Sequence, residues 1–507
     1  MPLSIDDYLR RALLSTVYDV ARETALERAP RLSARLGCEV LLKREDTQPI
    51  FSFKLRGAYH RMVRLPREVL DRGVVAASAG NHAQGVALSA ARLGARAVIV
   101  MPVTTPSIKV EAVRALGGEV ELVGDTLEQA AEHARALVEA RGMTYVHPYD
   151  DPDVIAGQGT VGIELLRQRP GRLDAVFVPV GGGGLAAGVG AVIKALRPEV
   201  KIVVVEPEGA DAMVRSLREG RRVSLDRVSR FAEGVAVKTP GEETLRICRE
   251  VVDDTVVVGN DEICAAIRDL FEDRRAMLEP SGALAFAGLK RWLAAHPEAC
   301  GGTYAAITTG ANLNFERLGH VSDRADIGER REAVLAVSIP ETPGSFRRFC
   351  QELGQRVVTE CNYRHGAGER AHVFCGVRIE HPSEIASFVD HLRAQGYGVL
   401  DLTGDEIAKL HIRHLVGGRA PHLPSERLFA FWFPERAGAL AEFLAAMRHP
   451  WNISLFHYRN HGSDFGRVLI GLDVPDAERA ELDAFLGRVG FEWSEVSADP
   501  ACQLFLR

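Results

Sequence analysis

The chain has 507 residues, of which 46% are hydrophobic and 26% charged, and its formal net charge is −6. This length exceeds what one hydrophobic core supports, so we expect two or three domains. The small negative charge, without any run of Lys and Arg, argues against a surface for nucleic acid. Residues 1–23 lack the apolar core of a signal peptide, and no apolar stretch reaches membrane-spanning length.

The cysteines are scattered and show neither a CxxC pair nor spacing typical of a metal site. Buried thiols in a reducing cytosol explain this distribution better than disulfides or zinc ligands do. We therefore expect a cytoplasmic protein, either an enzyme or a multi-domain binding protein.

Short β-branched runs alternate with Ala-rich amphipathic stretches from about residue 70 to residue 310. Helices are predicted over residues 81–94 and 110–117. Strand–helix alternation with short connections predicts an α/β fold with a mostly parallel sheet that is covered on both faces. The predicted buried strands are 73–78, 96–101, 118–123, 174–180, 201–206, 254–259 and 304–308.

An internal repeat follows the α/β region. The polar, charged segment 320–333 breaks the alternation and predicts a linker. Beyond it, residues 337–354 resemble residues 431–447, and each copy is predicted to run strand, Pro/Gly loop, helix, strand. We expect a tail of two small modules that bury surface on each other. The matched pairs are Pro340 with Pro434, Gly344 with Gly438 and, one residue out of step, Tyr363 with Tyr458 and Arg364 with Arg459.

Lys54 is a candidate catalytic residue because Phe51, Phe53 and Leu55 surround it in the sequence. An apolar setting desolvates an ammonium group and lowers its pKa, which a lysine needs in order to attack a carbonyl compound. Most lysines are solvated surface charges, so Lys54 alone indicates little. Lys109 is expected to be such a surface charge, or a neighbour of a bound phosphate.

A glycine-rich loop, Gly181 to Gly184, lies between a predicted strand and an Ala-rich helix. Backbone N–H groups in such a loop bind phosphate at the positive end of the helix. The segment also has a second interpretation, because Gly181, Gly183 and Ala186 fit the pattern G-x-G-x-x-A and Glu206 ends the next strand, as in an NAD site. A tight structural turn is a third possibility.

Two further segments place polar side chains at strand ends. Asn81, in SAGNHAQG (78–85), is suited to hydrogen-bond a ligand hydroxyl or to cap the helix that follows. Thr308 and Thr309, in ITTGANLNF (307–315), lie where open α/β sheets bind ligands, although such hydroxyls are often structural.

Together these four segments resemble one family, the fold-type-II pyridoxal-phosphate-dependent enzymes, and within it the biosynthetic threonine dehydratases. The resemblance covers nearly the whole chain and makes an NAD site a poor alternative. The shared motifs are KRED with SFKLRGAY (43–59), SAGNHAQGVAL (78–88), the glycine tetraloop, TGAN (309–312), IPETPGSF (339–346), KLHIRHLVGGR (409–419) and WNISLFHYRNHG (451–462).

The resemblance implies a role for each matched residue. Lys54 would bind pyridoxal 5'-phosphate covalently, and Asn81 would hydrogen-bond the ring hydroxyl of that cofactor. Thr309 would face the pyridine nitrogen, where many relatives have Ser, and we expect this change to be harmless because the hydroxyl is kept. The backbone amides implied to bind the cofactor phosphate are those of Gly181, Gly182, Gly183, Gly184 and Leu185.

The family also implies a domain organisation and an activity. We expect a two-lobed catalytic domain over residues 1–322, a linker over 323–332, and two α+β regulatory domains of ACT-like type over 333–404 and 426–500. The expected activity is L-threonine ammonia-lyase, giving 2-oxobutanoate and ammonia in isoleucine biosynthesis, with L-serine as a secondary substrate. The alternatives are a catabolic serine/threonine dehydratase, serine racemase, threonine synthase, or an amino-acid sensor with a degenerate catalytic part.

Control by small molecules and assembly are further family expectations. We expect inhibition by isoleucine, relief by valine, and a homotetramer. The loops 341–344 and 435–438 each lead into a predicted helix, so their amides are suited to bind the carboxylate of an amino-acid effector.

Two positions depart from patterns seen in resembling enzymes. Relatives bind a metal near a segment like EPEGADA (206–212), with a carboxylate where this chain has Ala212, so we expect no dedicated divalent metal site. Serine racemases carry Ser two positions before the Asn of the SAGN-like loop, where this chain has Ala79. Because Ala79 has no exchangeable proton, we expect elimination without appreciable racemisation.

Overall fold

The computed structural model describes residues 2–328, 332–340, 345–354, 356, 358–363, 369–379, 381, 383–412, 425–434, 439–447, 449, 451–459 and 465–506. The chain divides into two compact units, Met1–Ala325 and Asp326–Arg507. Within the described ranges, no helix combines the length and the hydropathy needed to cross a membrane.

The first unit is built on two sheets. A six-stranded sheet has the order β1-β2-β10-β7-β8-β9, and a four-stranded sheet has the order β5-β4-β3-β6. The β1–β2 pair is antiparallel and the other pairs are parallel. The strands are β1 (Leu26–Arg28), β2 (Glu39–Lys43), β3 (Val74–Ala77), β4 (Ala97–Met101), β5 (Glu119–Leu122), β6 (Thr144–Tyr145), β7 (Ala175–Pro179), β8 (Lys201–Pro207), β9 (Asp254–Val258) and β10 (Thr303–Ile307).

Helices cover these sheets, which is why strands such as β3, β4 and β7 are continuous apolar runs that are buried throughout. The predicted α/β fold and its seven strands are confirmed. The helices are α1 (Ile5–Leu13), α2 (Pro30–Leu36), α3 (Lys54–Val63), α4 (Arg67–Asp71), α5 (Asn81–Leu93), α6 (Ser107–Ala115), α7 (Leu127–Arg141), α8 (Pro152–Gln168), α9 (Gly184–Leu196), α10 (Ala212–Glu219), α11 (Glu242–Val251), α12 (Asn260–Arg274), α13 (Pro280–Ala295) and α14 (Arg317–Gly328).

The second unit contains two antiparallel four-stranded sheets with equivalent strand orders, β12-β13-β11-β14 and β16-β17-β15-β18. The strands are β11 (Glu332–Pro340), β12 (Val358–Tyr363), β13 (Arg370–Arg378), β14 (Gly398–Asp401), β15 (Glu426–Pro434), β16 (Asn452–Arg459), β17 (Phe465–Asp473) and β18 (Glu492–Glu495). The helices are α15 (Ser345–Glu352), α16 (Glu384–Ala394), α17 (Glu406–Leu410), α18 (Ala439–Ala446), α19 (Arg479–Val489) and α20 (Pro500–Phe505).

The internal repeat is visible in the strand register. Pro340 ends β11 and Pro434 ends β15. Tyr363 pairs with Val373, and Tyr458 pairs with Val468 in the equivalent position of the other sheet. Each copy is longer than the predicted strand–helix–strand unit, because a further strand, helix and strand complete its sheet. The matched Gly344, Gly438 and Arg364 lie outside the described residues.

Four predictions differ from the structure. Helix α14 continues to Gly328 through most of the predicted linker 323–332, and its charge is accommodated because Arg324 donates to Asp261 at 2.5 Å. The predicted strand at 118–123 is only partly buried, since β5 lies at the edge of its sheet. Of the two alternatives for Lys109, a surface charge is wrong, because its ammonium group lies 2.5 Å from Glu233 and is largely buried, whereas a neighbour of a bound phosphate stays a prediction. Cys300 is exposed, whereas Cys38, Cys248, Cys264, Cys375 and Cys502 are buried.

Candidate active site

The candidate residues lie beyond the carboxyl ends of parallel strands in both sheets of the first unit. Asn81 follows β3 in the four-stranded sheet, whereas the glycine loop follows β7 and Thr309 follows β10 in the six-stranded sheet. Open α/β sheets bind ligands at this end of their strands. The fold therefore directs three of the four predicted segments toward a place where a ligand binds.

Lys54 begins α3 in a confined position. Its Nζ donates to the backbone oxygen of Pro148 at 3.0 Å and lies 5.4 Å from the ring centre of Phe53. Burial lowers the pKa of Lys54 to about 8, while the negative charge of Glu279 acts in the opposite direction. An amine with this pKa is unprotonated in about a tenth of molecules at neutral pH, which a nucleophile or a base requires.

Two histidines next to Lys54 are held neutral. Burial, together with the charge of Lys54, lowers the pKa of His82 to about 3. Burial and Lys54 also lower the pKa of His147. These rings contribute shape and hydrogen bonds to the site rather than positive charge, and the sequence analysis named neither of them as a site residue.

The glycine loop requires glycine at specific positions. Gly183 has a φ of +98°, and a Cβ at Gly182 would lie 2.2 Å from the ring of Tyr149. Tyr149 directly follows Pro148, the acceptor for Lys54, so the loop and the lysine approach the same turn of the chain.

The start of α9 fits a bound phosphate. Gly183 caps this helix, Gly184 is its first residue, and no side chain caps it. The backbone N–H of Ala187 donates to Gly183 at 2.9 Å, so the open donors of the first turn belong to the residues before Ala187. Leu185, whose amide is one of them, buries its side chain in the core. Small residues, open amides and the helix dipole are the features that bind phosphate monoesters.

Asn81 does not cap the helix that it begins. The N-cap of α5 is Gly80, without a side-chain capping bond. The amide nitrogen of Asn81 instead donates to Glu279 at 2.7 Å, and its amide oxygen accepts from Asn312 at 2.6 Å. Sequence reasoning missed Glu279 entirely and took Asn312 only as part of the TGAN motif.

The two threonines at the end of β10 differ in their surroundings. The hydroxyl oxygen of Thr308 lies 2.6 Å from Asp46 and 2.9 Å from the backbone oxygen of Lys43, which share its one hydrogen, so this hydroxyl is structural. Thr309 donates to the backbone oxygen of Ser281 at 3.0 Å. Thr309 is thus held at the end of β10 with a neutral hydroxyl, whose one hydrogen points to Ser281 in this structure.

The segments that carry these residues are joined to one another. The backbone N–H of Phe53, next to Lys54, donates to the backbone oxygen of Thr309 at 3.4 Å, and Asn312 joins the Thr309 segment to Asn81. The structure therefore brings Lys54, Asn81, Thr309 and the glycine loop to a common site.

A buried ion network lies beneath the start of α3. Arg56 donates to Glu45 at 2.8 Å and to Glu164 at 2.6 Å, and Lys43 donates to Glu164 at 2.6 Å. All four side chains are fully buried. Because Arg56 lies two residues after Lys54, the network anchors the turn that carries the lysine.

Comparison with known proteins identifies the family. Residues 17–310 match the model of pyridoxal-phosphate-dependent enzymes, and residues 323–412 and 417–506 each match the C-terminal regulatory domain of threonine dehydratase. The L-threonine dehydratase biosynthetic IlvA of Burkholderia multivorans is 55% identical over 99% of both chains. The chain belongs to the biosynthetic threonine dehydratases. The Escherichia coli dehydratase of the same name is 51% identical over 99% of this chain and 97% of its own.

Solved structures agree with this membership in the threonine dehydratases. The processed form of threonine deaminase isoform 2 from Solanum lycopersicum has a TM-score of 0.63 and 50% identity, covering 64% of this chain and 91% of its own. Maize serine racemase has a TM-score of 0.60 and 31% identity, covering 64% of this chain and 97% of its own. The catalytic fold is therefore shared with enzymes that carry out more than one reaction.

Family membership and geometry both exclude the NAD interpretation of the glycine loop. The carboxylate of Glu206, which would have to bind a ribose, is fully buried and accepts from the backbone amides of Met213 at 3.1 Å and Val214 at 2.7 Å. Burial raises the pKa of Glu206 well above its usual range, more than these two amides lower it. This side chain closes the first turn of α10 and is not available to a dinucleotide.

Ala212 lies at the position where metal-binding relatives have a carboxylate ligand. Ala212 is the first residue of α10 and is fully buried, and the neighbouring Asp211 pairs with Arg215 at 2.8 Å. Within the part of the chain that the structure describes, no three His, Cys, Asp or Glu side chains are grouped as a metal site requires.

Proposed function

We propose that this chain is an L-threonine ammonia-lyase that uses pyridoxal 5'-phosphate to convert L-threonine into 2-oxobutanoate and ammonia, with L-serine as a secondary substrate. The observation that carries the proposal is the placement of Lys54, a lysine of lowered pKa between the Thr309 segment and the turn that packs on the glycine loop. Relatives named L-threonine dehydratase, at 51–55% identity over 99% of the chain, support threonine as the substrate.

We assign the cofactor contacts by the chemistry of each group. Lys54 bonds covalently to the cofactor, and Asn81 hydrogen-bonds its ring hydroxyl. Thr309 faces the pyridine nitrogen. The backbone amides assigned to the phosphate are those of Gly181, Gly182, Gly183, Gly184 and Leu185. The open first turn of α9 supports the assignment of the phosphate.

Lys54 has two tasks in the proposed reaction. When bound, pyridoxal phosphate withdraws electrons from the substrate Cα and so acidifies its proton. Lys54 would hold the cofactor through its Nζ, and the Nζ freed by threonine would accept the Cα proton. The β-hydroxyl would take up one proton and leave as water. The remaining product would gain a proton at Cβ and react with one water to give 2-oxobutanoate and ammonia. The apolar surroundings that lower the pKa of Lys54 suit both tasks.

The neutral hydroxyl of Thr309 favours elimination. A carboxylate at this position would keep the pyridine nitrogen protonated and strengthen electron withdrawal, which favours long-lived carbanions and transamination. With a neutral hydroxyl at this position the pyridine ring withdraws electrons less strongly. Loss of the β-leaving group then competes well with transamination. The bond from Thr309 to Ser281 holds this side chain at the end of β10, and its hydroxyl hydrogen would be donated to the ring nitrogen in place of Ser281 when the cofactor is bound.

The second unit supports a biosynthetic, regulated enzyme of isoleucine synthesis rather than a catabolic one. Its two matches to the regulatory domain of threonine dehydratase support control by a small-molecule effector. We propose isoleucine as the inhibitor, valine as the ligand that relieves inhibition, and a homotetramer in the cytoplasm. The loops 341–344 and 435–438, predicted to bind the effector carboxylate, lie outside the described residues. We propose a catalytic domain over residues 1–322, a linker over 323–332 whose first part is the end of α14, and regulatory domains over 333–404 and 426–500.

A keto-acid assay tests the proposal. Purified enzyme should release 2-oxobutanoate from threonine and, more slowly, pyruvate from serine, and isoleucine should inhibit both. Lys54→Ala should abolish turnover, because the covalent anchor and the base disappear together. Near-normal turnover in Lys54→Ala would contradict the assignment of the site. No 2-oxobutanoate from threonine, or indifference to isoleucine, would contradict the substrate or the regulation.

Racemisation of serine is a second candidate reaction because the catalytic fold resembles that of maize serine racemase. The position where serine racemases place a hydroxyl is Ala79 in this chain. Without a proton donor there, Lys54 is the proposed base and no second acid is assigned on the opposite face. The sequence therefore favours elimination over racemisation. An amino-acid sensor with a degenerate site is disfavoured because Lys54, Asn81 and Thr309 are all present and close together.

A further inference from the structure

Hydrogen bonds join the backbone oxygen of Ile50 to Asn312 and Asn312 to Asn81. The backbone oxygen determines which of these groups donates and which accepts. The amide nitrogen of Asn312 donates to the backbone oxygen of Ile50 at 2.9 Å and to the amide oxygen of Asn81 at 2.6 Å. A backbone oxygen only accepts, so the nitrogen of Asn312, and not its oxygen, must point this way. Both hydrogens of that nitrogen are then used.

The orientation of Asn312 determines the orientation of Asn81. Because Asn312 donates, the group of Asn81 that it meets must be the amide oxygen. The nitrogen of Asn81 then lies on the other side, where it donates one hydrogen to Oε1 of Glu279 at 2.7 Å. The second hydrogen on this nitrogen remains for another acceptor.

Glu279 is held in place as an acceptor for Asn81. A Cβ at Gly310 would lie 2.2 Å from Oε1 of Glu279 and 3.2 Å from the amide nitrogen of Asn81, so only glycine leaves room for the bond. The backbone N–H of Glu279 donates to the oxygen of Gly310 at 3.2 Å. Burial raises the pKa of Glu279, while its hydrogen bonds to Asn81 and Ser281 lower it.

We propose that Glu279 and Asn312 are positioning residues that fix the amide of Asn81 so that it offers an N–H, rather than its oxygen, to the ring hydroxyl of the cofactor. The inference rests on the proposed function, in which Asn81 binds that hydroxyl. Asparagine amides rotate readily, and an oxygen in place of the N–H would repel an ionised ring oxygen. The acceptor of Glu279 and the donor of Asn312 together exclude the rotated amide of Asn81, in which the oxygen would face the cofactor.

The test uses holoenzyme and apoenzyme of full-length variants. Glu279→Met and Asn312→Leu remove the acceptor and the donor, Glu279→Gln retains an acceptor oxygen, and Asn81→Ala removes the contact itself. For each we would measure the dissociation constant of pyridoxal phosphate by titrating apoenzyme, and the absorption spectrum of the bound cofactor from pH 6 to 9. Melting of the apoenzyme separates these effects from misfolding.

We expect the effects of the single substitutions on the dissociation constant of pyridoxal phosphate to be non-additive in the double variants. Asn81→Ala should weaken cofactor binding roughly tenfold, as loss of one hydrogen bond to a charged group does. Glu279→Met and Asn312→Leu should each weaken it several-fold and shift the spectrum in the same direction. Neither should weaken it further when combined with Asn81→Ala, since both act through Asn81. Glu279→Gln should stay within about threefold of the parent.

The outcomes separate the inference from the proposal beneath it. If Asn81→Ala changes neither affinity nor spectrum, the assignment of Asn81 is wrong. If Asn81→Ala has its effect but Glu279→Met and Asn312→Leu are silent or fully additive with it, only the positioning role is wrong. If Glu279→Gln is as defective as Glu279→Met, the charge of Glu279 matters rather than its acceptor oxygen, which also overturns the inference. If one variant fails to fold, the other gives the same cycle.

Discussion

Glu164 offers a direct test of the ion network beneath the active-site lysine. Lys43 and Arg56 supply two positive charges and Glu45 and Glu164 two negative ones, so the buried group is neutral, and each cation lies 2.6 Å from an oxygen of Glu164. The substitution Glu164→Gln keeps the size of the side chain and removes one charge. It leaves a net positive charge with no access to water.

The cost follows from removing one partner of a buried pair, which destabilises a protein by about 3–5 kcal/mol. At about 2 °C per kcal/mol for a large domain, the catalytic unit of Glu164→Gln should melt roughly 6–10 °C lower. Burial raises the pKa of Glu164, but Arg56 and Lys43 outweigh it and lower the pKa below its usual range. A lowered pKa means stability that is present above about pH 4.3 and is lost as pH falls through the folded value.

Calorimetry of the two proteins between pH 4 and pH 8 measures this cost. The difference in melting temperature should be constant near neutral pH and should begin to narrow only toward pH 4, where Glu164 of the unfolded parent takes up a proton while Glu164 of the folded parent is still ionised. The matched control is Asp71→Asn, which breaks the pair with Arg67, whose side chains are 55% and 61% exposed. The control should cost less than about 1 kcal/mol. A Glu164→Gln protein that melts within a degree of the parent, or a control that is equally destabilised, would refute the reasoning.

Three further predictions concern the chemistry and its control. Because burial lowers the pKa of Lys54 to about 8, the rate at which apoenzyme recaptures pyridoxal phosphate should rise tenfold per pH unit up to about pH 8 and then level off; a midpoint near pH 10 would contradict it. Chiral analysis should find keto acid but no comparable D-serine from L-serine, since Ala79 supplies no proton, and D-serine formed at a similar rate would refute this. A chain that ends near Arg330, outside the described residues, should bind cofactor but lose isoleucine inhibition, removing a coupling of about 1–3 kcal/mol; undiminished inhibition would show that control does not need the second unit.

Motif reasoning located the candidate site where each residue lies in a continuous, distinctive segment. Lys54, Asn81, Thr309 and the glycine loop were all selected in this way, and the fold brings them together. Glu279 could not be found by the same route, because it lies 198 residues from Asn81 in the sequence and no local pattern marks it. A partner that is defined only by a tertiary hydrogen bond leaves no periodic signal.

The missed elements of the fold have physical reasons of the same kind. The charged segment at 320–333 lacks an apolar stripe strong enough to predict a helix, and α14 forms there with support from the ion pair between Arg324 and Asp261. The strand β5 was predicted to be buried, but its sequence alternates Glu with Val and Leu, and it lies at a sheet edge where Glu119 is exposed. Local sequence determines that a segment is extended or helical, whereas burial depends on which neighbours the rest of the chain supplies.

The glycine loop shows why a single motif was compatible with two cofactors. Gly181 to Gly184 and the helix behind them are suited to any phosphate, and this loop belongs to the six-stranded sheet together with Thr309. Asn81 belongs to the four-stranded sheet, and Lys54 begins a helix that packs against the helix after β3. No one sheet carries the full set. On the proposed assignment, the six-stranded sheet would supply the phosphate-binding loop and the partner of the ring nitrogen, and the four-stranded sheet would supply the surroundings of the amine, so a pyridoxal phosphate site would need both sheets.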